Sequence, residues 1–197
     1  MHAGDLPREV RTPRALVRRA SDADLAQLER WPPYPWPFTP LGMTEPSARS
    51  PAGPYWWQQI RDEDRAHYSV VLRATDEVVG VLAFVSIDWD SRMVRNMGVR
   101  IREDWRGEGL CTEVLSPLLD AVIAAGIERV RLDVAASNAG GIRCYEKCGM
   151  TVTSEDCFPH TGEEVDLDDQ RWAFARGHMK RVHGEWMVRH LWMERRA

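Results

Sequence analysis

Apolar residues recur in two rhythms along this chain, and the switches between them mark its elements. After a polar lead over residues 1–13, Ala15-Leu16-Val17-Arg18-Arg19 reads as a first strand, and Ser21 or Asp22 can cap a helix carrying Leu25 and Leu28. The runs 68–72 and 78–87, joined by Asp76 and Glu77 as turn residues, read as an antiparallel hairpin, and a further strand covers 94–102. Leu110, Val114, Leu115, Leu118, Leu119, Val122 and Ile123 then fall at helical spacing, with Gly126 as the cap and Pro117 interrupting the helix with a kink. Val130, Leu132 and Val134 alternate with Arg129, Arg131 and Asp133, a strand with one buried face. Asn138 caps a short helix ending at Gly149, Val152 opens another strand, and 185–193 alternates like a last one.

Two stretches break both rhythms. Residues 31–54 are irregular and open with Trp31, Tyr34, Trp36 and Phe38 among prolines, a composition that argues for a functional loop rather than a linker, and a short helix follows over 55–61. Residues 159–181 are polar, with partial helix over 165–179.

The chain has 197 residues and is 44% hydrophobic, enough for one sizeable core, so a single domain over 14–197 is expected. A net charge of −4 gives no global attraction to nucleic acid or membrane surfaces, so any anion site must be local. No apolar run approaches the roughly 18 residues of a membrane span, and the first residues lack the apolar core of a signal peptide; a cytoplasmic location is expected. The four cysteines, Cys111, Cys144, Cys148 and Cys157, are too few for a secreted disulfide framework, and reduced thiols are the default. Only Lys147 and Lys180 are lysines among 26 basic residues, a bias that suits a GC-rich bacterial genome.

The chemistry concentrates at Arg106-Gly107-Glu108-Gly109-Leu110-Cys111, a glycine-rich turn between the strand over 94–102 and the helix that follows. Glycines let backbone approach a ligand closely, and the opening helix aims unpaired N–H groups and its positive dipole end at an anion. About thirty residues on comes Asn138-Ala139-Gly140-Gly141-Ile142-Arg143-Cys144-Tyr145-Glu146-Lys147-Cys148-Gly149-Met150. Together the two stretches resemble the central motifs of the GNAT superfamily of acyl-coenzyme-A-dependent N-acetyltransferases, R-x-x-G-x-G/A and N-x-x-A/S-x-x-x-Y-E-K-x-G-F. The continuation Leu110-Cys111-Thr112-Glu113 is similar to the ribosomal-protein (Rim-type) branch. The resemblance implies one α/β domain with a mixed, mostly antiparallel sheet splayed at its centre and helices on both faces.

It also implies a site. Acetyl-coenzyme A, or another acyl-coenzyme A, is the expected co-substrate, with its pyrophosphate on the backbone of Gly107, Glu108, Gly109, Leu110, Cys111 and Thr112 and on Arg106. The strand through Met97, Val99 and Ile101 is expected to receive the pantetheine arm, and Asn138 to contact the cofactor. The Cys111 position departs from the family pattern, but a small thiol can pack as an apolar residue. Tyr145 falls on the family tyrosine that protonates the departing sulfur, a role suited to a phenol that stays protonated at neutral pH.

An alkyl amine with a lysine-like pKa near 10.4 must lose a proton before it attacks, which costs about 4 to 5 kcal/mol at pH 7. Where the Rim-type branch has a glutamate two residues before the strand glycine, this chain has Asn96, and Asp88, Asp90 and His67 are the other candidates to act through water. The spacing of Cys144, Cys148, Cys157 and His160 invites a zinc reading, but the first two fall at packing positions of the family motif, and no metal is expected. The aromatic run Trp31, Tyr34, Trp36 and Phe38, with residues 159–181, is expected to wall the acceptor site, and Glu163, Glu164, Asp166, Asp168 and Asp169 could attract a polyamine or aminoglycoside. The expected acceptor is a small-molecule primary amine, with no nucleic-acid or membrane partner and a monomer or homodimer as assembly. A protein N-terminus as acceptor, another acyl thioester as donor, and a non-catalytic coenzyme-A-binding module stay open as alternatives.

Overall fold

The computed structural model describes residues 2–37, 64–160 and 164–197; Phe38, Glu163 and the helix expected over 55–61 lie outside them. Among the described residues the strands are β1 (Glu9–Arg11), β2 (Ala15–Arg19), β3 (Ala66–Leu72), β4 (Val78–Asp88), β5 (Met93–Ile101), β6 (Arg129–Ala135), β7 (Thr151–Pro159), β8 (Met179–Val182) and β9 (Glu185–Arg196). They form one sheet in the order β1-β2-β3-β4-β5-β6-β9-β7, with β8 also on β9. Neighbours pair antiparallel throughout except β5 with β6, which run parallel. The helices are α1 (Asp22–Leu28), α2 (Leu110–Ala124) and α3 (Ala139–Lys147).

All seven residues of β3 and the first seven of β4 are buried, because helices cover both faces there. On one face Leu110, Val114, Leu115 and Leu118 of α2 join Val17, Tyr68, Leu82 and Phe84. On the other, Leu28 of α1 and Trp31 pack on Val71, Val78 and Val81. The hairpin turns at Asp76, whose φ of 57° lies in the left-handed region that aspartate tolerates.

Pro117 does not interrupt α2, contrary to the sequence-based expectation; the helix runs through it to Ala124. A proline inside a helix costs about 3 kcal/mol, whereas Val114, Leu115, Leu118, Leu119 and Val122 are all buried, each worth about 1.5–3 kcal/mol against exposure. Packing decides the outcome. The segment 165–179 is helical only as the 3-10 turn Gln170–Ala175.

The polar lead takes part in the fold. Leu6 is buried in the core, Pro7 accepts a hydrogen bond from the Tyr68 hydroxyl (2.8 Å), and β1 adds to the sheet beside β2. Thr12 and Arg14 then fix the start of α2: the Thr12 hydroxyl donates to the Glu113 carboxylate (2.8 Å), as do the Arg14 amide (2.9 Å) and Nε (2.6 Å). At the β2–α1 corner Asp24, only 2% exposed, accepts from Arg18 (2.6 and 2.9 Å), the Ser69 hydroxyl and the Ser21 amide.

Candidate active site

The site begins where the sheet fails to close. β5 pairs with β4 along its length, but its parallel pairing with β6 stops after Met93 with Arg129 and Val94 with Val130. From there β6 follows β9 to the Ala135–His190 pair, and β5 leaves it. A parallel ladder that stops leaves backbone groups of both strands open to a ligand. The gap is a cleft of about 720 Å³ floored by the sheet and rimmed by the glycine turn and α3.

On one rim stand Arg106, Gly107, Gly109, Leu110, Cys111 and Thr112. Gly107 and Gly109 adopt φ of 79° and 76°, and a Cβ added at either would meet nothing within 4 Å. Only glycine takes this path without strain, and the empty space beside it is where a ligand can approach the backbone. Gly109 is also the N-cap of α2 and has no side chain to cap it, so the first amides of the helix keep their donors for a ligand. This cradle fits a pyrophosphate. Glu108 stands apart from the cleft lining: it is exposed, and its carbonyl accepts from Arg14 (3.0 Å). Arg106 lines the cleft while pairing with Glu103 at 3.7 Å and lying 5.8 Å from the Tyr34 ring.

α3 supplies the rest of this rim. Asn138 caps the helix by accepting from the Gly141 amide (3.0 Å), and beyond it Arg143, Cys144, Tyr145 and Lys147 line the cleft. Arg143 and Lys147, four residues apart on one helix face, add positive charge beside the cradle, a contribution not singled out in the sequence. Burial, reinforced by the nearby thiols and Asp133, raises the Tyr145 phenol well above its ordinary range. It holds its proton at neutral pH and so stands in the cleft as a hydrogen-bond and proton donor. The three clustered thiols share protons unequally. Hydrogen bonding from Cys111 and Cys148 lowers Cys144, which also accepts from Thr112 Oγ1 (3.4 Å), while the same bonds raise Cys111 and Cys148.

Across the cleft, Met97, Val99 and Ile101 line β5, and Gly98 between them leaves open space where a Cβ would stand. Asn96 also lines the cleft, and its amide reaches the Asp133 carboxylate on β6 (3.4 Å). The other Asp133 oxygen lies 2.7 Å from Nδ1 of His190 on β9. The sequence reading passed over both: Asp133 appeared as one of the polar alternators of its strand and His190 as part of the last, and no spacing rule links residues 57 positions apart.

Other expected side chains lie elsewhere. Asp88, at the end of β4, accepts from the Ser91 amide (2.9 Å) and Arg95 (2.6 Å), interactions that hold its carboxyl down at about 2; it is not in the cleft lining and is a poor base. Asp90 is exposed in the turn after it. His67 is buried in β3, and burial with the charges of Arg65 and Arg19 lowers it to about 4. Trp31 is 7% exposed in the core beneath α1, its Nε1 donating to the Val78 carbonyl (3.1 Å); it is no acceptor wall because the sheet face needs cover there. Tyr34 is buried as well and donates to the Ile101 carbonyl (2.9 Å), which braces the end of β5.

Trp36 does meet the second irregular segment. Its Nε1 donates to the Arg171 carbonyl (2.7 Å) and its ring stands edge-on to Trp172 at 4.7 Å. Cys157 is on β7 opposite Arg189 and His160 packs against Trp172, so the zinc spacing is not gathered. Among the described residues no group of three or more His, Cys, Asp or Glu side chains is placed to hold a metal.

A family model described as "Acetyltransferase (GNAT) family" matches residues 25–150, nearly two thirds of the chain and all of the rim formed by the glycine turn and α3. The chain belongs to the GNAT family. Across 59 residues it is 34% identical to a mycothiol acetyltransferase of Corynebacterium aurimucosum, a match covering 30% of this chain and 19% of that protein's length. The fold is also that of solved GNAT structures. A spermidine N-acetyltransferase from Vibrio cholerae, in complex with CoA and spermine, superimposes with TM-score 0.65 at 14% identity, covering 93% of this chain and 95% of the other. A ribosomal-protein-S5-alanine acetyltransferase from Vibrio fischeri does so with TM-score 0.63 at 11% identity, covering 95% and 96%. The mixed, centrally splayed sheet with helices on both faces is the GNAT architecture expected from the paired motifs. No helix among the described residues is long and apolar enough to cross a membrane.

Proposed function

We propose that this protein transfers an acetyl or other short acyl group from coenzyme A to the primary amine of a small molecule. The observation that carries the reading is the early end of the β5–β6 ladder opposite an uncapped, glycine-lined helix start. Donor and acceptor can meet in one cleft.

The donor's pyrophosphate would rest on the amides from Gly107 to Thr112, with Arg143 and Lys147 adding charge. Its pantetheine arm would pair with the free edge of β5 through Met97, Val99 and Ile101. The thioester supplies an activated carbonyl and a thiol leaving group. Tyr145, held protonated, gives its proton to the sulfur, and an amide near Gly98 faces the carbonyl oxygen. Asn96 orients the acceptor or a water but cannot take a proton.

A small acceptor is favoured because the two irregular segments that the family resemblance places beside the acceptor are long; they pack on each other through Trp36, Arg171 and Trp172, outside the cleft lining. The V. cholerae enzyme solved with spermine shares only the fold, yet it places a polyamine among the amines to test. The test is acetyl transfer from acetyl-coenzyme A to spermine, an aminoglycoside and an alanyl peptide, read by intact mass and thiol release. Transfer to a small amine supports the reading. Exclusive transfer to the peptide moves the acceptor to a protein N-terminus, and binding of acetyl-coenzyme A without transfer leaves a ligand-binding module.

A further inference from the structure

The expected bases are placed badly: Asp88 and Asp90 are outside the cleft, His67 is in the core, and Asn96 has no basic lone pair at neutral pH. The cleft nevertheless holds one histidine. His190 lines it from β9, with its side chain 20% exposed, and Asp133, 24% exposed, stands 2.7 Å from Nδ1. A carboxylate there accepts from Nδ1–H, so the lone pair sits on Nε2, the nitrogen left for a ligand. Phe158 of β7 supports the ring edge-on at 5.0 Å, and Asn96 of β5 donates to the second Asp133 oxygen, so the pair is held from two further strands.

We infer that His190 is the general base that deprotonates the acceptor amine, with Asp133 as its positioning residue. This rests on the proposed N-acyl transfer. Nε2 takes one proton from R–NH₃⁺. The neutral nitrogen forms the amide bond as the carbon–sulfur bond breaks; the Tyr145 hydroxyl gives its proton to the sulfur and regains one from the nitrogen. His190 then releases its proton to solvent, so each turnover yields amide, coenzyme A thiol and one proton.

The charged or titratable groups facing His190 are Asp133 from β6, Asp156 opposite it in the β7 register, and Tyr145 from α3 across the cleft; Arg131 on β6 lies further along, over the Trp192 ring at 4.1 Å. A base must be neutral to act, so kcat/KM for the amine should fall on the acid side.

The test uses the full chain, wild type beside His190→Gln and Asp133→Asn, with folding checked by thermal melts. Calorimetry of acetyl-coenzyme A binding is run in parallel with amine pH–rate profiles. In histidine-¹⁵N-labelled protein at pH 8, the resonance lost in His190→Gln identifies its ring and reports which nitrogen carries the proton. Expected are an Nδ1–H tautomer, acetyl-coenzyme A affinity unchanged within about twofold, and kcat/KM for amine down about 10²- to 10³-fold with the acidic limb gone. Asp133→Asn should lose about tenfold or more and disturb the tautomer.

An Nε2–H tautomer overturns the inference, as does a His190→Gln rate within threefold of wild type with the acidic limb intact. Wild-type protein that binds no acetyl-coenzyme A, or binds it and acetylates no amine, overturns the proposed function itself. If His190→Gln does not fold, Asp133→Asn with its own limb unmoved overturns the inference.

Discussion

The two sides of the cleft are built in opposite ways. The proposed donor side is local: the glycine turn, the start of α2 and the face of α3 lie within 106–147, each contributed by a contiguous motif. The proposed acceptor side is assembled from distant chain: Asn96 on β5, Asp133 on β6 and His190 on β9 meet only because the sheet order brings those strands side by side. Backbone geometry does most of the work in the first, and side-chain chemistry in the second. A donor site of that kind tolerates many side chains provided its glycines stay, whereas the acceptor side can be retuned one residue at a time.

The sharpest way to break this comparison is Gly109→Trp. A side chain at φ 76° is strained and fills the space beside the cradle, so the melting-temperature rise on adding acetyl-coenzyme A should vanish while the apo protein stays folded. An undiminished rise would place the donor elsewhere. Tyr145→Phe stands next, because it removes only a hydroxyl between the two sides. Single-turnover transfer should drop roughly 10²- to 10⁴-fold, about 3 to 5 kcal/mol, while donor binding changes by about 1 kcal/mol or less. A loss under about tenfold in a limiting chemical step would return Tyr145 to packing.

His67 sharpens the contrast from outside the cleft. Its pKa is depressed to about 4 from an ordinary 6.5, so the unfolded chain binds the proton more readily between those values, and stability present above pH 6.5 is lost as pH falls toward 4. The loss should reach about 3 kcal/mol. Urea unfolding at pH 7 and pH 4.5 should show a smaller difference in His67→Gln than in wild type, with amine transfer at neutral pH unaffected. Last, Arg143→Ala with Lys147→Ala should weaken coenzyme A binding several-fold, about 1 kcal/mol, by an amount that shrinks as salt rises. A salt-independent loss would mean that the pair supports α3 rather than the phosphates.

Periodicity alone located most strands and helices, because alternation and the 3.6-residue rhythm are properties of neighbours in sequence. It missed β1 and β8, which are only three and four residues long and polar. At Pro117 a local propensity rule was overridden by six buried side chains on the same helix. The aromatic run was read as one surface, yet its residues part: Trp31 into the core, Tyr34 against the end of β5, Trp36 onto Trp172.

By itself the sequence determined the fold class and the glycine turn that opens α2, since both rest on patterns that repeat or adjoin within a few dozen residues. What only the tertiary structure decided is where β5 and β6 part, which acids face the cleft, and that His190 meets Asp133. Those depend on strand order and on which residues come opposite one another across the sheet. A one-residue shift in such a register would turn each of these side chains to the other face.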